Sequence, residues 1–265
     1  MISGTVSGLS MLCMGVSAVV SFLIPVLLYL FFRRRFGASG KAFWVGCGVF
    51  VVFALMLESA MHRLVLNSGV GETIQNHIWL YALYGGLAAG VFEETGRFLA
   101  MRHVLKQEQP IDGNALMYGA GHGGAEAALL LGLTMVSNLV VSVMINSGAA
   151  EKLLSSVPAE ALSQAQAQFT ALIETRPADF LLGILERLLA VTLHISLSVL
   201  VWFAATRKRS AWLFPLAILL HALVDGVTVV CAQHLSGLAV EGVIALLTLG
   251  VLLVACGVWK RYVRT

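Results

Sequence analysis

Charged residues are scarce in this chain. They make up 12% of its 265 residues, whereas a typical soluble domain carries about 25%. Hydrophobic residues reach 58% and the mean hydropathy is +0.88. Several apolar stretches also exceed the roughly 20 residues that a helix needs to cross a bilayer. This composition excludes a soluble globular domain and predicts an integral membrane protein. Because a membrane-embedded helix satisfies its own backbone hydrogen bonds, we expect an all-α helical bundle.

The chain also has few cysteines and little excess basic charge. The four cysteines, Cys13, Cys47, Cys231 and Cys256, lie in apolar stretches and lack the spacing of a metal site, so we interpret them as small packing residues. The net charge is only +3, and the basic residues lie at the ends of apolar stretches, which argues against a nucleic-acid partner and favours lipid headgroups. The first apolar stretch is too long for a signal peptide, and we expect it to remain as a span.

The apolar stretches predict seven spans within a single membrane domain, residues 1–265. The spans lie at about 9–32, 42–66, 78–103, 114–146, 179–205, 211–233 and 237–259. Basic residues follow every second span, and cytoplasmic loops carry an excess of lysine and arginine. We therefore expect the amino terminus outside, the carboxy terminus in the cytoplasm, and a location in the plasma (inner) membrane.

Two of these segments have unusual features. The fourth span is too long for a straight crossing, and we expect it to be tilted or broken near Gly132. The long outer connection, about 147–178, has apolar residues at helical spacing after Pro158, which predicts an amphipathic helix on the outer surface. We interpret it as an interfacial connector, with a substrate lid as the alternative.

Three polar sets lie within the predicted spans. They are Glu93-Glu94-x-x-Arg97, His122-x-x-x-Glu126 and His221-x-x-x-Asp225. Because one charged side chain at the centre of a span costs about 2.5 to 3.5 kcal/mol, such residues are usually functional. With a rise of 1.5 Å per residue, the predicted topology places all three sets about 12 to 15 Å from the cytoplasmic boundary. Residues four apart also share a helix face, so we expect the sets to converge on one wet internal cavity.

Several further polar residues lie in or near the spans. His194 lies close to the same depth, and two interpretations stay open: a member of the site or a structural hydrogen-bonding residue. Glu186 and Arg187 are interpreted as an internal ion pair nearer the outer side. Six residues near predicted membrane surfaces are interpreted as non-catalytic. These are Glu58, His62, Arg63, His77, His103 and His234.

Many glycines accompany the polar sets. Gly121 and Gly123 flank His122, and Gly86 and Gly90 precede the paired glutamates. Small residues allow two helices to approach closely, and they also leave room for the backbone of a substrate. We expect a substrate helix to unwind against these faces of the third and fourth spans.

Glutamate and histidine supply the groups that peptide hydrolysis requires. These groups are a base for water, a donor to the oxyanion and an acid for the leaving amine. Glu93 is the candidate general base, and Glu94 and Arg97 are its electrostatic support.

The histidines fit either of two versions of this chemistry. In the metal-free version, which is favoured, His122 and His221 bind the water or the oxyanion, and Glu126 and Asp225 orient them. In the metal-dependent version, His122, His194 and His221 hold zinc or another divalent cation. The sequence lacks the His-Glu-x-x-His helix that is typical of zinc proteases.

The motifs also carry a resemblance to a known family. They are Phe92-Glu93-Glu94-Thr95-Gly96-Arg97, Gly121-His122-Gly123-Gly124-Ala125-Glu126 and His221-Ala222-Leu223-Val224-Asp225. In this order they resemble the YhfC family of bacterial intramembrane proteases, which is similar to PrsW and, more distantly, to the CAAX prenyl protease type II and bacteriocin-processing group. The resemblance implies an endopeptidase acting on membrane-embedded substrates. PrsW-type sequences have Phe where His122 stands, so either His122 or Glu126 is the middle catalytic group.

Two functions from other classes remain as alternatives. Buried acids and histidines also form ion relays, which would make the chain a proton- or cation-coupled transporter, although no two-half repeat accompanies them. A non-catalytic membrane scaffold is the other alternative. The expected partners are a membrane protein or peptide substrate and the lipid bilayer. The sequence predicts no oligomeric state.

Overall fold

The computed structural model describes residues 4–263, and no strand occurs among them. The helices are α1 (Gly8–Phe36), α2 (Gly40–Leu66), α3 (Gly71–Asn76), α4 (Ile78–Leu99), α5 (Gly113–Asn146), α6 (Ala150–Ser155), α7 (Ala159–Glu174), α8 (Asp179–Thr206), α9 (Leu213–His234) and α10 (Gly237–Tyr262). The predicted all-α class is confirmed.

Six helices of the described chain are long and apolar enough to cross a membrane, namely α1, α2, α5, α8, α9 and α10. The chain is therefore a multi-pass membrane protein. The remaining predicted span corresponds to α4, whose 22 residues are sufficient in length. Its Glu93, Glu94 and Arg97 lower its hydropathy. The seventh span, the orientation of the termini and the choice of membrane stay predictions.

Three of the described helices contain or continue into π-helical turns. These turns are Phe50–Glu58 in α2, Ala100–Val104 after α4, and Ala127–Gly132 in α5. A π turn has a wider hydrogen-bonding ring than an α turn, so it changes which side chains share a face, and it is frequent at functional sites. The irregularity expected near Gly132 is thus a π turn within a helix that continues to Asn146.

The chain groups into two compact units. The first comprises residues up to Ile24 and Ala127–Arg187, and the second comprises Pro25–Glu126 and the chain from Leu188 onward. Each unit has its own cluster of buried apolar side chains. The prediction of one domain over residues 1–265 stays a prediction.

In the first unit, the amphipathic helix expected in the outer connection is α7. Pro158 lies at its amino-terminal cap, and Phe169 and Leu172 are buried in the apolar core of this unit. The short helix α6 precedes α7. Glu186 and Arg187 form the expected ion pair with an N···O distance of 2.5 Å.

In the second unit, glycines allow helices to pack closely. A side-chain carbon at Gly86 of α4 would overlap the carbonyl oxygen of Ala222 in α9, and one at Gly121 of α5 would overlap the carbonyl oxygen of Phe43 in α2. These glycine faces are therefore covered by helices of the same chain. The expectation that they receive a substrate backbone is wrong at these positions, because no space remains there.

A buried ion pair joins three segments of the second unit. Nη2 of Arg207 donates to the two carboxylate oxygens of Asp112 at 2.5 and 2.6 Å, and Nε1 of Trp202 donates to the same carboxylate at 3.0 Å. Nε of Arg207 also donates to the carbonyl of Tyr262 at 3.2 Å. We call Asp112, Trp202 and Arg207 the Asp112 clamp. It ties the segment before α5 to the ends of α8 and α10.

Candidate active site

The second unit brings the predicted polar residues together. Four helices contribute: α4 supplies the paired glutamates and the arginine, the first half of α5 and the helix α9 each supply a histidine and an acid, and α8 supplies one histidine. The residues are Glu93, Glu94, Arg97, His122, Glu126, His194, His221 and Asp225. Their catalytic roles stay predictions, whereas their proximity follows from the contacts below.

Glu93 lies at the centre of this group. Its Oε2 is 2.7 Å from Nε2 of His122 and 3.9 Å from Nδ1 of His194. Because an ionised carboxylate can only accept, Nε2 of His122 donates to it. His122 is fully buried, the ring of Phe50 packs edge-on against it, and its Nδ1 has no hydrogen-bond partner. Nε2 of His122 thus holds Glu93, whereas the lone pair on Nδ1 accepts no hydrogen bond.

His194 lies between the other two histidines. Its ring centroid is 4.7 Å from that of His122 and 5.4 Å from that of His221. Nη2 of Arg97 lies 3.1 Å from Nδ1 of His194, and a guanidinium can only donate, so Nδ1 accepts. The proton of the neutral ring is therefore on Nε2, 2.6 Å from Oε2 of Glu126. These contacts favour the interpretation of His194 as a member of the site.

His221 is held by two acids. Its Nδ1 lies 2.8 Å from Oε1 of Glu94, whose other oxygen is 3.3 Å from Nη1 of Arg97. Oδ2 of Asp225 lies 3.5 Å from Nε2 of the ring. Asp225 was the predicted partner, and Glu94 is the closer one. Because Glu94 takes Nδ1, Nε2 of His221 is left for a ligand or a water.

The partners of the middle motif differ from the expected ones. Glu126 was expected to orient His122, one turn earlier on the same helix. In the structure Glu126 pairs with His194, and His122 pairs with Glu93. A spacing of four residues gives two side chains the same direction, but the facing helices decide which atoms meet.

Two further buried polar residues accompany the site. Glu58 was expected near the membrane surface and interpreted as non-catalytic; it is 9% exposed, and both expectations stay predictions. Tyr118 is fully buried, and its ring centroid is 6.2 Å from that of His122. Spacing could have signalled both, because Tyr118 lies four residues before His122 and Glu58 lies four before His62.

The donor set fits a divalent cation. Glu93, His194 and His221 offer ligand atoms that all lie within 4.8 Å of one another. Two imidazoles and a carboxylate are typical zinc ligands. The charges of the site also favour a bound cation. Arg97 already pairs with Glu94, and an added positive charge would stabilise the remaining carboxylates. The expected metal trio had His122 in the place that Glu93 takes here.

Comparisons with known proteins agree with the motifs. A family model described as "YhfC intramembrane metalloprotease" matches residues 20–248. A relative from Bacillus subtilis (strain 168), "Uncharacterized membrane protein YhfC", is 40% identical over 240 residues, which cover 88% of this chain and 90% of the relative. No solved structure matches. The matched range contains all eight predicted site residues.

Proposed function

Because this chain belongs to the YhfC intramembrane metalloprotease family, we propose that it hydrolyses peptide bonds of membrane-embedded substrates with the help of a divalent metal. The observation that carries the proposal is the position of Glu93. This buried carboxylate contacts His122, and its oxygen lies within 4.8 Å of ligand atoms of His194 and His221. Carboxylates beside imidazoles at a protected site supply the base, the acid and the oxyanion donor of amide hydrolysis.

Glu93, His194 and His221 are the proposed metal ligands. The ion would supply a water of lowered pKa and an electrophile for the scissile carbonyl. Glu94 supports this role, because it accepts the Nδ1 hydrogen of His221 and leaves Nε2 free to ligate, as carboxylate partners of metal-binding histidines commonly do. Arg97 in turn holds Glu94 in place.

The chain's own residues move the protons. We assign Glu126 as the general base, because its carboxylate contacts His194 at 2.6 Å and its side chain keeps 13% exposure. A proton taken from the attacking water passes from Glu126 to the amine nitrogen as the C–N bond breaks. His122 holds Glu93 through Nε2, and Glu94 rather than Asp225 orients the ring of His221.

One contact favours a metal-free version of the same protease. Nη2 of Arg97 donates to Nδ1 of His194 and uses the lone pair on that nitrogen. In this version Glu93 is the general base, and His122 and His221 bind the water or, once protonated, donate to the oxyanion. The two versions differ in the role of Glu93, which is a metal ligand in one and a base in the other.

Metal content and cleavage together test the proposal. The purified protein is analysed by inductively coupled plasma mass spectrometry and then reconstituted in liposomes with candidate transmembrane peptides. We expect about one divalent ion per chain, loss of the ion in His221→Ala, and cleavage that stops with a chelator and returns with added metal. Glu72→Gln, on the exposed helix α3, is the matched control.

Two other outcomes would contradict the metal-dependent protease. Cleavage by a metal-free protein that resists chelators would support the Glu93 base instead. A reconstituted protein that moves protons or cations and cleaves no peptide would contradict a protease.

A further inference from the structure

A second polar cluster lies beside the site in the second unit. It consists of Glu58 and His62 on α2 and Tyr84 on α4, and we call it the Glu58 cluster. Nε2 of His62 lies 3.1 Å from Oε1 of Glu58, and Nδ1 lies 2.8 Å from the hydroxyl of Tyr84. The three side chains form one hydrogen-bonded chain across two helices.

Glu58 is buried although the two residues before it are exposed. Met56 and Leu57, the two residues before it, are 59% and 45% exposed, whereas Glu58 at the end of the turn Phe50–Glu58 is 9% exposed. A glutamate at a membrane surface would extend its carboxylate outward to water. Glu58 instead faces the interior of the unit, so snorkelling does not account for it.

The cluster adjoins the site at one end. The π turn that ends at Glu58 packs against α4, the helix of Glu93, and its first residue, Phe50, contacts the ring of His122. Asp225 is the more exposed partner of the Asp225–His221 pair, since 38% of its side chain is accessible and only 3% of the His221 side chain is.

At the other end the cluster approaches a polar cavity. Tyr84 lies three residues after Tyr81 on α4, so the two side chains share a helix face. Tyr81 lines a cavity of about 320 Å³ together with Gln75, Asn76, Ile78 and Gln233. This cavity lies at the start of α4 and the end of α9, beside the connection 67–77. A polar strip of Tyr81, Tyr84, His62 and Glu58 thus begins at this cavity.

We propose that this strip is the hydrated path by which water, the second substrate of hydrolysis, enters the site. The proposal deepens the function proposed above and rests on it. The neighbouring cavity between α4 and α9 does not provide such a path, because its lining includes Leu83, Leu87, Leu219 and Leu223 and is apolar. Water enters only where polar groups replace its lost hydrogen bonds, and the Glu58 cluster offers them in sequence.

Cysteine accessibility tests the path without any need for catalysis. In a background without Cys13, Cys47, Cys231 and Cys256, single substitutions His62→Cys and Tyr84→Cys are treated with the membrane-impermeant reagent trimethylammonium-ethyl methanethiosulfonate in sealed proteoliposomes. Gln75→Cys marks the face of the connection 67–77, and Lys106→Cys marks the opposite face. Met56→Cys, two residues before Glu58 and exposed outside the cluster, is the matched control.

We expect His62→Cys and Tyr84→Cys to react from the same face as Gln75→Cys, and at least about tenfold faster than Met56→Cys, because only a hydrated thiol ionises readily. Rates equal to that of Met56→Cys, or reaction from the face of Lys106→Cys, would overturn the proposal. Labelling in a chain that cleaves nothing would contradict the protease and leave the path standing. Cleavage without labelling would support the protease and contradict the proposed path.

A paired substitution tests whether polarity keeps the path open. The label is placed at Asp225→Cys, and Glu58 is changed either to Leu or to Gln in chains that elute as the parent does on size exclusion. We expect Glu58→Leu to slow the labelling about tenfold, because an apolar side chain of similar size removes the hydrogen-bonding groups. Glu58→Gln should retain it. Equal labelling in both variants would show that Glu58 does not control water access.

Discussion

Two buried ionic groups in the second unit differ in how completely they are satisfied. In the Asp112 clamp, Arg207 donates to a carboxylate, to the carbonyl of Tyr262 and to the hydroxyl of Thr206, and Trp202 donates to the same carboxylate. In the candidate active site, Nε of Arg97 and Nδ1 of His122 have no hydrogen-bond partner. Arg97 and His122 are fully buried, and Asp112 is 6% exposed, so burial alone does not separate the two groups.

The difference indicates what each group does. A fully paired ion cluster at helix ends holds segments in place, and breaking one of its pairs lowers the free energy of unfolding. A cluster with more carboxylates than fixed cations and with unused nitrogen atoms costs stability, and such groups in a membrane interior are usually functional. Substitutions in the two groups should therefore affect different properties.

The largest expected effect is on cleavage by Glu93→Gln. We expect the rate to fall about 1,000-fold or more, because Glu93 is a metal ligand in one version of the mechanism and the base in the other. For metal-free protein, the midpoint of thermal unfolding in detergent should change little, since glutamine has the same size and its side-chain oxygen can still accept from Nε2 of His122. Peptide cleavage and unfolding are measured on the same preparation, with Glu72→Gln as control. A rate within tenfold of the parent would exclude Glu93 from the chemistry.

The Asp112 clamp should show the opposite pattern. Asp112→Asn leaves Arg207 without its anion, and breaking such a buried pair should cost about 3 kcal/mol of unfolding free energy. The cleavage rate per folded molecule should stay the same. Asp179→Asn in the first unit, whose partner Arg176 is 82% exposed, is the control and should show no shift. A clamp variant that unfolds normally but cleaves slowly would remove the distinction between the two groups.

Glu126→Gln sharpens the comparison within the site. If Glu126 is the general base, the cleavage rate should fall about 100-fold while the metal content stays the same. Glu93→Gln should lower both. Metal analysis and single-turnover cleavage separate the two carboxylates, and loss of metal from Glu126→Gln would make Glu126 a ligand instead.

The smallest effect is expected at the ion pair of Glu186 and Arg187 in the first unit. The Glu186 side chain is 46% exposed, and pairs of this kind contribute about 0 to 1 kcal/mol. Glu186→Gln should change cleavage less than twofold and barely move the unfolding midpoint. A large loss of activity would place Glu186 in the mechanism and contradict its interpretation as part of a structural ion pair.

Much of the fold could be read from the sequence. Apolar length placed each span within a few residues of a helix, as for 211–233 against Leu213–His234. The glycine faces were expected, but the choice between helix packing and room for a substrate was not determined. That choice depends on whether a neighbouring backbone fills the space, as Ala222 does at Gly86.

The candidate site shows the same division. Spacing and depth selected Glu93, His122 and His221, because charge in a span is costly and residues four apart face the same way. Burial of Glu58 could not be predicted in this way, because depth along α2 does not tell which side of the helix faces the protein. Glu58 ends the π turn Phe50–Glu58 and is 9% exposed.

The sequence by itself determined an all-α membrane protein, its family and the chemical groups of its site, because composition and spacing are properties of single helices. Only the tertiary structure decided that Glu126 pairs with His194 and that Glu94 holds His221. It also decided that Glu58 is buried, on a π turn that packs against α4. Such pairings depend on which helices face each other and at what height, and periodicity along one helix carries no information about its neighbour.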